Sequence, residues 1–278
     1  MFTPTDRFAP RDYLNVVDTG VLPVTAARVT YGTQSDTLDL ILSPRLTPSR
    51  VPLLNQRWAV LPQGIPVHEL DPAFPGGPQF GARWNHIGAA AEYSFSFYNG
   101  HDNLPLFHVK QNTLQGADLQ PFYPQMRMYG ADVGAPLGPL TLKGEAAYFT
   151  STNPEADDYA LFVLQLERQA GEWSLVAGYA GEVTTVHRGA PGFSPVRGLA
   201  RSIVAHAGYT IDVNRSLAFE AVVHQNGQGL YAKTEYSQAF GQHWRATAGL
   251  AVLRGDPGDF LGQYRLNSHA ILTLRYSF

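Results

Sequence analysis

Nine histidines and scattered carboxylates are the residues of this 278-residue chain that could hold a metal ion or move a proton. The densest group is His68-Glu69-Leu70-Asp71. The remaining histidines, His86, His101, His108, His187, His206, His224, His243 and His269, are spread along the chain. A zinc centre needs three or four ligands converging at about 2.0–2.2 Å, usually marked by an HExxH helix or paired CxxC spacings. Neither pattern is present. The chain also has no cysteine, so thiolate sites, disulfides and cysteine nucleophiles drop out together. No metal and no cofactor are expected. A hydrolase would need a serine within hydrogen-bond reach of a histidine and a third group to orient it. No GxSxG elbow occurs. Ser202 and His206, four apart on an extended segment, would lie about 13 Å from each other. The expectation is that the chain is not an enzyme.

A regularly spaced set of polar residues remains. Lys143, Glu145, Glu167, His206, Glu220, His224, Lys233, Glu235, Arg245, Arg265, His269 and Arg275 stand at one parity of segments whose other parity is apolar. The last segment is the clearest. Leu266, Ser268, Ala270, Leu272, Leu274, Tyr276 and Phe278 fall on one face, and Arg265, Asn267, His269, Thr273, Arg275 and Ser277 on the other. Ile271 is the one apolar intruder. Alternation with period two is the signal of a strand with one wet and one apolar face. It recurs upstream around 244–252, 230–236, 217–223, 203–211, 173–179, 160–166, 140–148, 93–97 and 38–42. Weaker stretches lie at 24–31, 81–86 and 125–133. This makes about 13 strands, in segments near the roughly 10 residues typical of membrane barrels.

Tight turns are expected near 34–36, 88–91, 136–139, 169–172, 212–216 and 240–242. Longer connections rich in Pro, Gly and Asn lie between them, at 44–80, 99–121, 151–157, 183–199, 226–229 and 255–262. Short and long alternate without a break. In an outer-membrane barrel the short turns face the periplasm and the long loops face outside. Composition agrees: 15% charged residues against 44% hydrophobic, and 12% aromatic with 14 Tyr and 15 Phe. That is well under the roughly 25% charge of soluble chains. No apolar run approaches the roughly 20 residues of a spanning helix. A net charge of −3 gives no nucleic-acid footprint.

The fold expected is therefore all-β: a transmembrane antiparallel up-and-down β-barrel in the outer membrane of a Gram-negative bacterium. Residues 1–23 are expected to be the remnant of an extracellular loop. Residues 24–278 are expected to form the barrel, with extracellular loops 44–80, 99–121 and 183–199. Loop 44–80 is long enough to fold inward as a constriction, and an exposed surface loop is an equal reading. Bacterial single-chain barrels carry even strand numbers with both termini periplasmic. An odd count and the lack of a signal sequence after Met1 predict an N-terminally truncated fragment and an incomplete barrel.

Two groups of residues carry a resemblance. Leu274-Arg275-Tyr276-Ser277-Phe278 resembles the C-terminal assembly signal of outer-membrane barrels, with Leu274, Tyr276 and Phe278 as its apolar positions. The resemblance implies recognition by the barrel-assembly machinery. The stretch Pro4-Thr5-Asp6-Arg7-Phe8-Ala9-Pro10-Arg11-Asp12-Tyr13, together with Tyr98-Asn99-Gly100-His101-Asp102-Asn103-Leu104-Pro105, is similar to segments of the alginate-export and related porin-like outer-membrane proteins. It implies a channel for small hydrophilic solutes or saccharides, in contact with outer-membrane lipid and lipopolysaccharide. On that reading the twelve polar-face residues line the lumen and bias which solute passes. The plainer reading is that they solvate the lumen and pair across strands, and their mixed signs favour it. A polyuronate exporter would call for a strongly basic lumen, which is not seen. The other readings are an adhesin or structural barrel with a plugged lumen, and a soluble all-β ligand-binding protein.

Overall fold

The computed structural model describes residues 3–6, 8–60, 66–112 and 116–278. Arg7 of the resembling N-terminal stretch, residues 61–65 of the first long loop and residues 113–115 of the second lie outside the described residues. The first strands are β1 (Arg11–Asp12), β2 (Gly20–Val21), β3 (Ala27–Gly32), β4 (Asp36–Ser43), β5 (Val67–Glu69) and β6 (Gln79–Ile87). Then come β7 (Glu92–His101), β8 (Leu106–Asn112), β9 (Gly116–Phe122), β10 (Gln125–Leu137), β11 (Leu140–Thr150) and β12 (Asp158–Ala170). The last six are β13 (Trp173–Val186), β14 (Ser202–Asp212), β15 (Arg215–His224), β16 (Gly229–Phe240), β17 (Trp244–Gly255) and β18 (His269–Tyr276).

Thirteen of these form one sheet in the order β3-β4-β6-β7-β10-β11-β12-β13-β14-β15-β16-β17-β18. Every ladder described between its neighbours is antiparallel. This is the all-β, antiparallel, up-and-down order that the alternation predicts. β3 and β18 end the sheet order, and among the described residues no ladder joins them. No described helix is long and apolar enough to cross a membrane. The turns impose the order. Gly138 and Gly171 open two-residue links at φ of 61° and 58°, the left-handed region that only glycine adopts without cost. Links that short leave no length for a crossover.

The long connections hold structure that the sequence did not announce. β5, β9 and β8 form a separate three-stranded sheet in which β5 runs parallel to β9. β1 and β2 pair with each other. These strands are short or irregular in alternation, and β5 finds its partner in another loop, so period two does not mark them. The last strand is also shorter than expected. It starts at His269, because Gly262–Asn267 form a 3-10 turn. The Asp259 carboxylate caps that turn, accepting the Leu261 amide at 2.9 Å and the Gly262 amide at 3.3 Å. Arg265, expected on the last strand facing the lumen, sits on the turn, where its guanidinium donates to the Gly262 carbonyl at 3.3 Å.

The chain divides into two compact units. The first comprises residues 1–133, 145–162 and 182–197, and the second 134–144, 163–181 and 198–278. In the second unit the cross-strand register keeps one face continuous. Directly opposite residues of an antiparallel pair share a face. His206 is opposite Glu220, Glu220 opposite Lys233 and Lys233 opposite Ala251. Ala251 is in turn opposite His269, and Arg245 opposite Arg275. The other face carries Ile203, Phe219, Leu250, Leu272, Leu274 and Tyr276, and its large apolar side chains are bare: Leu250 is 49% exposed and Leu272 80%. The expected parity of the last strand thus agrees with the ladder, including Arg275 on the polar side and Leu272, Leu274 and Tyr276 on the apolar side. A face of exposed Leu, Ile and Phe running across successive strands calls for lipid rather than water.

Aromatic rings mark the short-turn end of that apolar face. Trp173 lies 4.7 Å from Tyr209 and Trp244 4.9 Å from Tyr276, ring centre to ring centre, each next to a tight link. Rings with one apolar and one wet edge favour the boundary between hydrocarbon and water. The first unit has its own set near the 88–91 turn, with Trp84 stacked on Phe95 at 6.0 Å and set edge-on to Tyr93 at 5.7 Å.

Candidate functional site

The polar face of the second unit carries most of the residues singled out by their spacing. Lys233 bridges Glu235 at 3.4 Å, and His206 faces Glu220 at 3.6 Å. Nearer the short-turn end, Arg245 donates to the Ser237 hydroxyl at 3.2 Å and stands opposite Arg275, with both arginines exposed. Lys143 pairs with Glu167 at 3.0 Å, and Glu167 also accepts from the Gln165 amide at 3.0 Å. His269 turns its Nδ1 to the Asn267 carbonyl at 2.8 Å. These contacts alternate in sign, so the face is polar and hydrated with no dominant charge. The ladder brings together His206, Glu220, Lys233 and Glu235, and separately Arg245 and Arg275. Arg265 does not join them.

His224 departs from the expectation of a wet lumen histidine. It is buried, and its Nδ1 lies 2.5 Å from a carboxylate oxygen of the equally buried Asp259. Its Nε2 has no partner among the described residues. The reason is the loop between β17 and β18, which folds back so that Asp259 reaches the end of β15. Gly229 makes this possible, since a Cβ there would sit 2.0 Å from the Asp259 Oδ1. Ser202 is the cross-strand neighbour of His224 and is fully buried, but its hydroxyl turns to the Ala200 carbonyl at 3.4 Å. Leu253, Leu261, Tyr231 and Tyr264 are buried alongside, which fixes the loop. Burial pushes the Tyr264 phenol up to about 12. A sequence separation of 35 residues between His224 and Asp259 carries no signal of this contact.

In the first unit the polar positions meet the N-terminal segment. Glu145, expected to face open water, is half-buried. Its Oε1 accepts the Thr5 amide at 2.6 Å and the Thr5 hydroxyl at 2.8 Å. Arg83 binds Asp132 at 2.8 Å and Asn85 at 2.7 Å, and the Ser94 hydroxyl also donates to Asp132. Two glycines make room for the segment. A Cβ on Gly81 would lie 2.1 Å from the Phe8 ring, and one on Gly130 would lie 2.6 Å from the Thr5 methyl. Phe8 meets Tyr98 edge-on at 5.1 Å. Further along, Arg11 pairs with Asp6 at 2.8 Å, and its amide donates to the Ser49 hydroxyl at 3.0 Å. Sequence reasoning missed the Thr5–Glu145 contact, which spans 140 residues. The clue available was a pair of glycines at polar-face positions.

An ion network ties the loops of this unit together. The Arg197 guanidinium bridges Glu182 at 2.5 Å and Asp157 at 3.0 Å and lies over the Tyr159 ring at 4.3 Å. The Arg188 amide donates to Asp157 at 2.7 Å. Burial works against the Asp157 charge. The Arg188 amide and the Arg197 guanidinium outweigh it and hold the carboxyl below the ordinary carboxylate range. Among the described residues no group of three or more His, Asp or Glu side chains converges as a metal site.

Neither a family model nor a curated protein matches the chain. Among solved structures it is similar to the outer membrane phospholipase A from Escherichia coli. That similarity has 10% identity and a TM-score of 0.35, over 72% of this chain and 80% of that one. The match corrects one expectation. The expectation that the chain is not an enzyme, drawn from the missing GxSxG elbow and the Ser202–His206 spacing, is withdrawn, since the similar chain is by its title a phospholipase.

Proposed function

We propose that the chain belongs to an outer-membrane β-barrel of a Gram-negative bacterium and that the barrel passes small hydrophilic solutes, saccharides among them. The observation that carries this reading is the register-continuous polar face from His206 through Glu220, Lys233 and Glu235, backed by a bare apolar face on the same strands. On this reading Lys143, Glu145, Glu167, His206, Glu220, Lys233, Glu235, Arg245, His269 and Arg275 line the water path. The long loops 44–80, 99–121 and 183–199 lie outside the cell, and residues 1–23 enter the water path from the same side, where Thr5 meets Glu145. Leu274, Tyr276 and Phe278 serve as the strand read by the barrel-assembly machinery, and the bare face meets lipid and lipopolysaccharide. The mixed charge suits neutral or weakly charged solutes better than a polyuronate, so the likeness to alginate exporters is carried only as far as a porin-like pore.

A second reading, a barrel with a plugged lumen, is favoured by the N-terminal segment seated on Glu145. Planar-bilayer recording of the purified chain separates the two. Steps of constant conductance support the pore, and a silent bilayer at protein levels that insert into vesicles supports the plug.

A further inference from the structure

The Thr5 seat is built from more than the hydrogen bonds that Thr5 uses. One carboxylate oxygen of Glu145 takes two neutral donors from one residue, an amide N–H and a hydroxyl. Beside them the Ser96 hydroxyl is buried with no partner among the described residues. It faces the space over Gly130 into which the Thr5 methyl also projects, since a Cβ on Gly130 would lie 2.5 Å from one and 2.6 Å from the other. Asp132 and Arg83 are within electrostatic reach of Glu145 and are already bound to each other. A hydroxyl that is both donor and acceptor, left unpaired in such a place, is a cost that a ligand can remove.

The geometry points to a binding subsite for a neutral polyhydroxylated solute, a sugar unit, that Thr5 occupies as an internal surrogate. Adjacent hydroxyls of a sugar present two donors at the separation that the amide and hydroxyl of one threonine present. Glu145 accepts both as charge-assisted bonds. A third hydroxyl can satisfy Ser96, and Arg83 lies nearby as a further donor. An acidic sugar is disfavoured by the same site, because its carboxylate would meet Glu145 while Arg83 is already held by Asp132 and Lys143 by Glu167. A small cation is the poorer fit, since the seat holds neutral donors and offers it a single carboxylate with no free neighbour of the same sign. Sugar and Thr5 compete for Glu145, so ligand binding releases the N-terminal segment from β7, β10 and β11. The apparent affinity is lowered by whatever fraction of chains keeps Thr5 seated. This inference rests on the pore reading for its route of access, but the seat itself does not require conduction.

The test uses the full chain in detergent and its freedom from cysteine. Thr3→Cys places the single thiol at the start of the segment, and its maleimide labelling rate reports release. Maltose should raise the rate several-fold with half-saturation at about 1–10 mM, the range of a few solvent-exposed hydrogen bonds. Glucuronate at the same concentrations should not raise it. Glu145→Gln in the same background loosens Thr5 and the sugar together, so it should raise the labelling rate without maltose and flatten the further response to maltose. Ser96→Ala should raise the half-saturating concentration severalfold. A labelling rate that ignores maltose up to about 100 mM overturns the subsite. So does a response to glucuronate equal to that for maltose, or a Glu145→Gln chain that responds like the parent. Conductance in salt alone is recorded in parallel. A conducting chain without a maltose response keeps the pore and removes the subsite, and a silent chain with the response does the reverse.

Discussion

Leu250→Arg and Gly249→Arg place the same charge at adjacent positions of β17 and should have opposite consequences. Leu250 is on the bare apolar face and half exposed, and Gly249 stands opposite Glu235 on the polar face. Six residues separate Leu250 from Trp244, about 20 Å along an antiparallel strand. A strand tilt of about 35–45° reduces that to roughly 15 Å of depth, near the middle of an apolar band about 25 Å tall. Arginine at that depth costs about 2–4 kcal/mol. At Gly249 an added Cβ meets only the Thr234 carbonyl at 3.8 Å, and the new guanidinium can pair with Glu235 in water. There the expected change is within about 1 kcal/mol, the range of exposed pairs. The assay is reversible urea unfolding from lipid vesicles, followed by Trp fluorescence. Leu250→Arg should lower the unfolding free energy by at least about 1 kcal/mol more than Gly249→Arg, in keeping with its depth. Equal costs at the two sites, or a larger cost at Gly249, would show that the apolar face does not meet lipid.

Three further outcomes follow from the loops and the girdle. Asp259→Ala leaves the buried His224 without its hydrogen-bond partner and removes the Leu261 and Gly262 amide contacts, at about 1–3 kcal/mol; trypsin cleavage at Arg265 should rise by about tenfold or more, and unchanged cleavage would show that the pair does not hold the loop. Because the Asp157 carboxyl is depressed in the folded chain, its contribution is complete above the unfolded value near 3.9 and is lost as pH falls through the lower folded value. Pepsin cleavage within 151–157 and 187–197 should therefore climb at the acid end of its range, and Asp157→Asn should cleave readily across the whole range. Trp173 and Trp244 should be quenched by lipids brominated near the headgroups more than by lipids brominated at the chain ends, and the reverse order would remove the girdle from the boundary.

The strands were legible because their physical cause is local. Alternation at 203–211, 217–223, 230–236 and 244–252 follows from one face meeting water and the other not, and each residue declares its side by its own chemistry. The last strand was overextended by the same rule. Arg265, Leu266 and Asn267 keep the alternation of the strand beyond them, but the Asp259 cap and the 3-10 turn claim their backbone. β5 pairs with β9 of another connection, and nothing in a short stretch such as Val67–Glu69 names that partner. His224 and Glu145 failed for a related reason. Their parity put them on the polar face, where the ladder and the buried contacts place them, but parity says nothing about what folds down over that face. Only the glycines hinted at it. Gly81, Gly130 and Gly229 each leave a gap that another segment fills, and a strand glycine is a known sign of close approach.

The polar face itself argues for water along its length. Arg245 and Arg275 stand directly opposite each other on adjacent strands with both side chains exposed. Two like charges about 4 Å apart repel by roughly 1 kcal/mol in bulk water and about 4 kcal/mol at a protein-like dielectric of 20. Within a dry sandwich core such a pair would need an acid between the arginines, and the nearest partner observed for Arg245 is the Ser237 hydroxyl. Toward the loop end of the same face, the order becomes Glu235, Lys233, Glu220 and His206, each near an opposite or titratable neighbour, and then the buried His224–Asp259 pair beneath the folded loop. Burial on this face therefore follows the loop and not the strands, and a second layer of sheet is not what covers it. The opposite face leaves Ile203, Leu217, Phe219, Leu250, Leu272 and Leu274 bare, with Thr234 as a polar exception between Phe219 and Leu250. A sheet wet on the side of its charges and bare on the side of its leucines is stable where water lies on one side and hydrocarbon on the other.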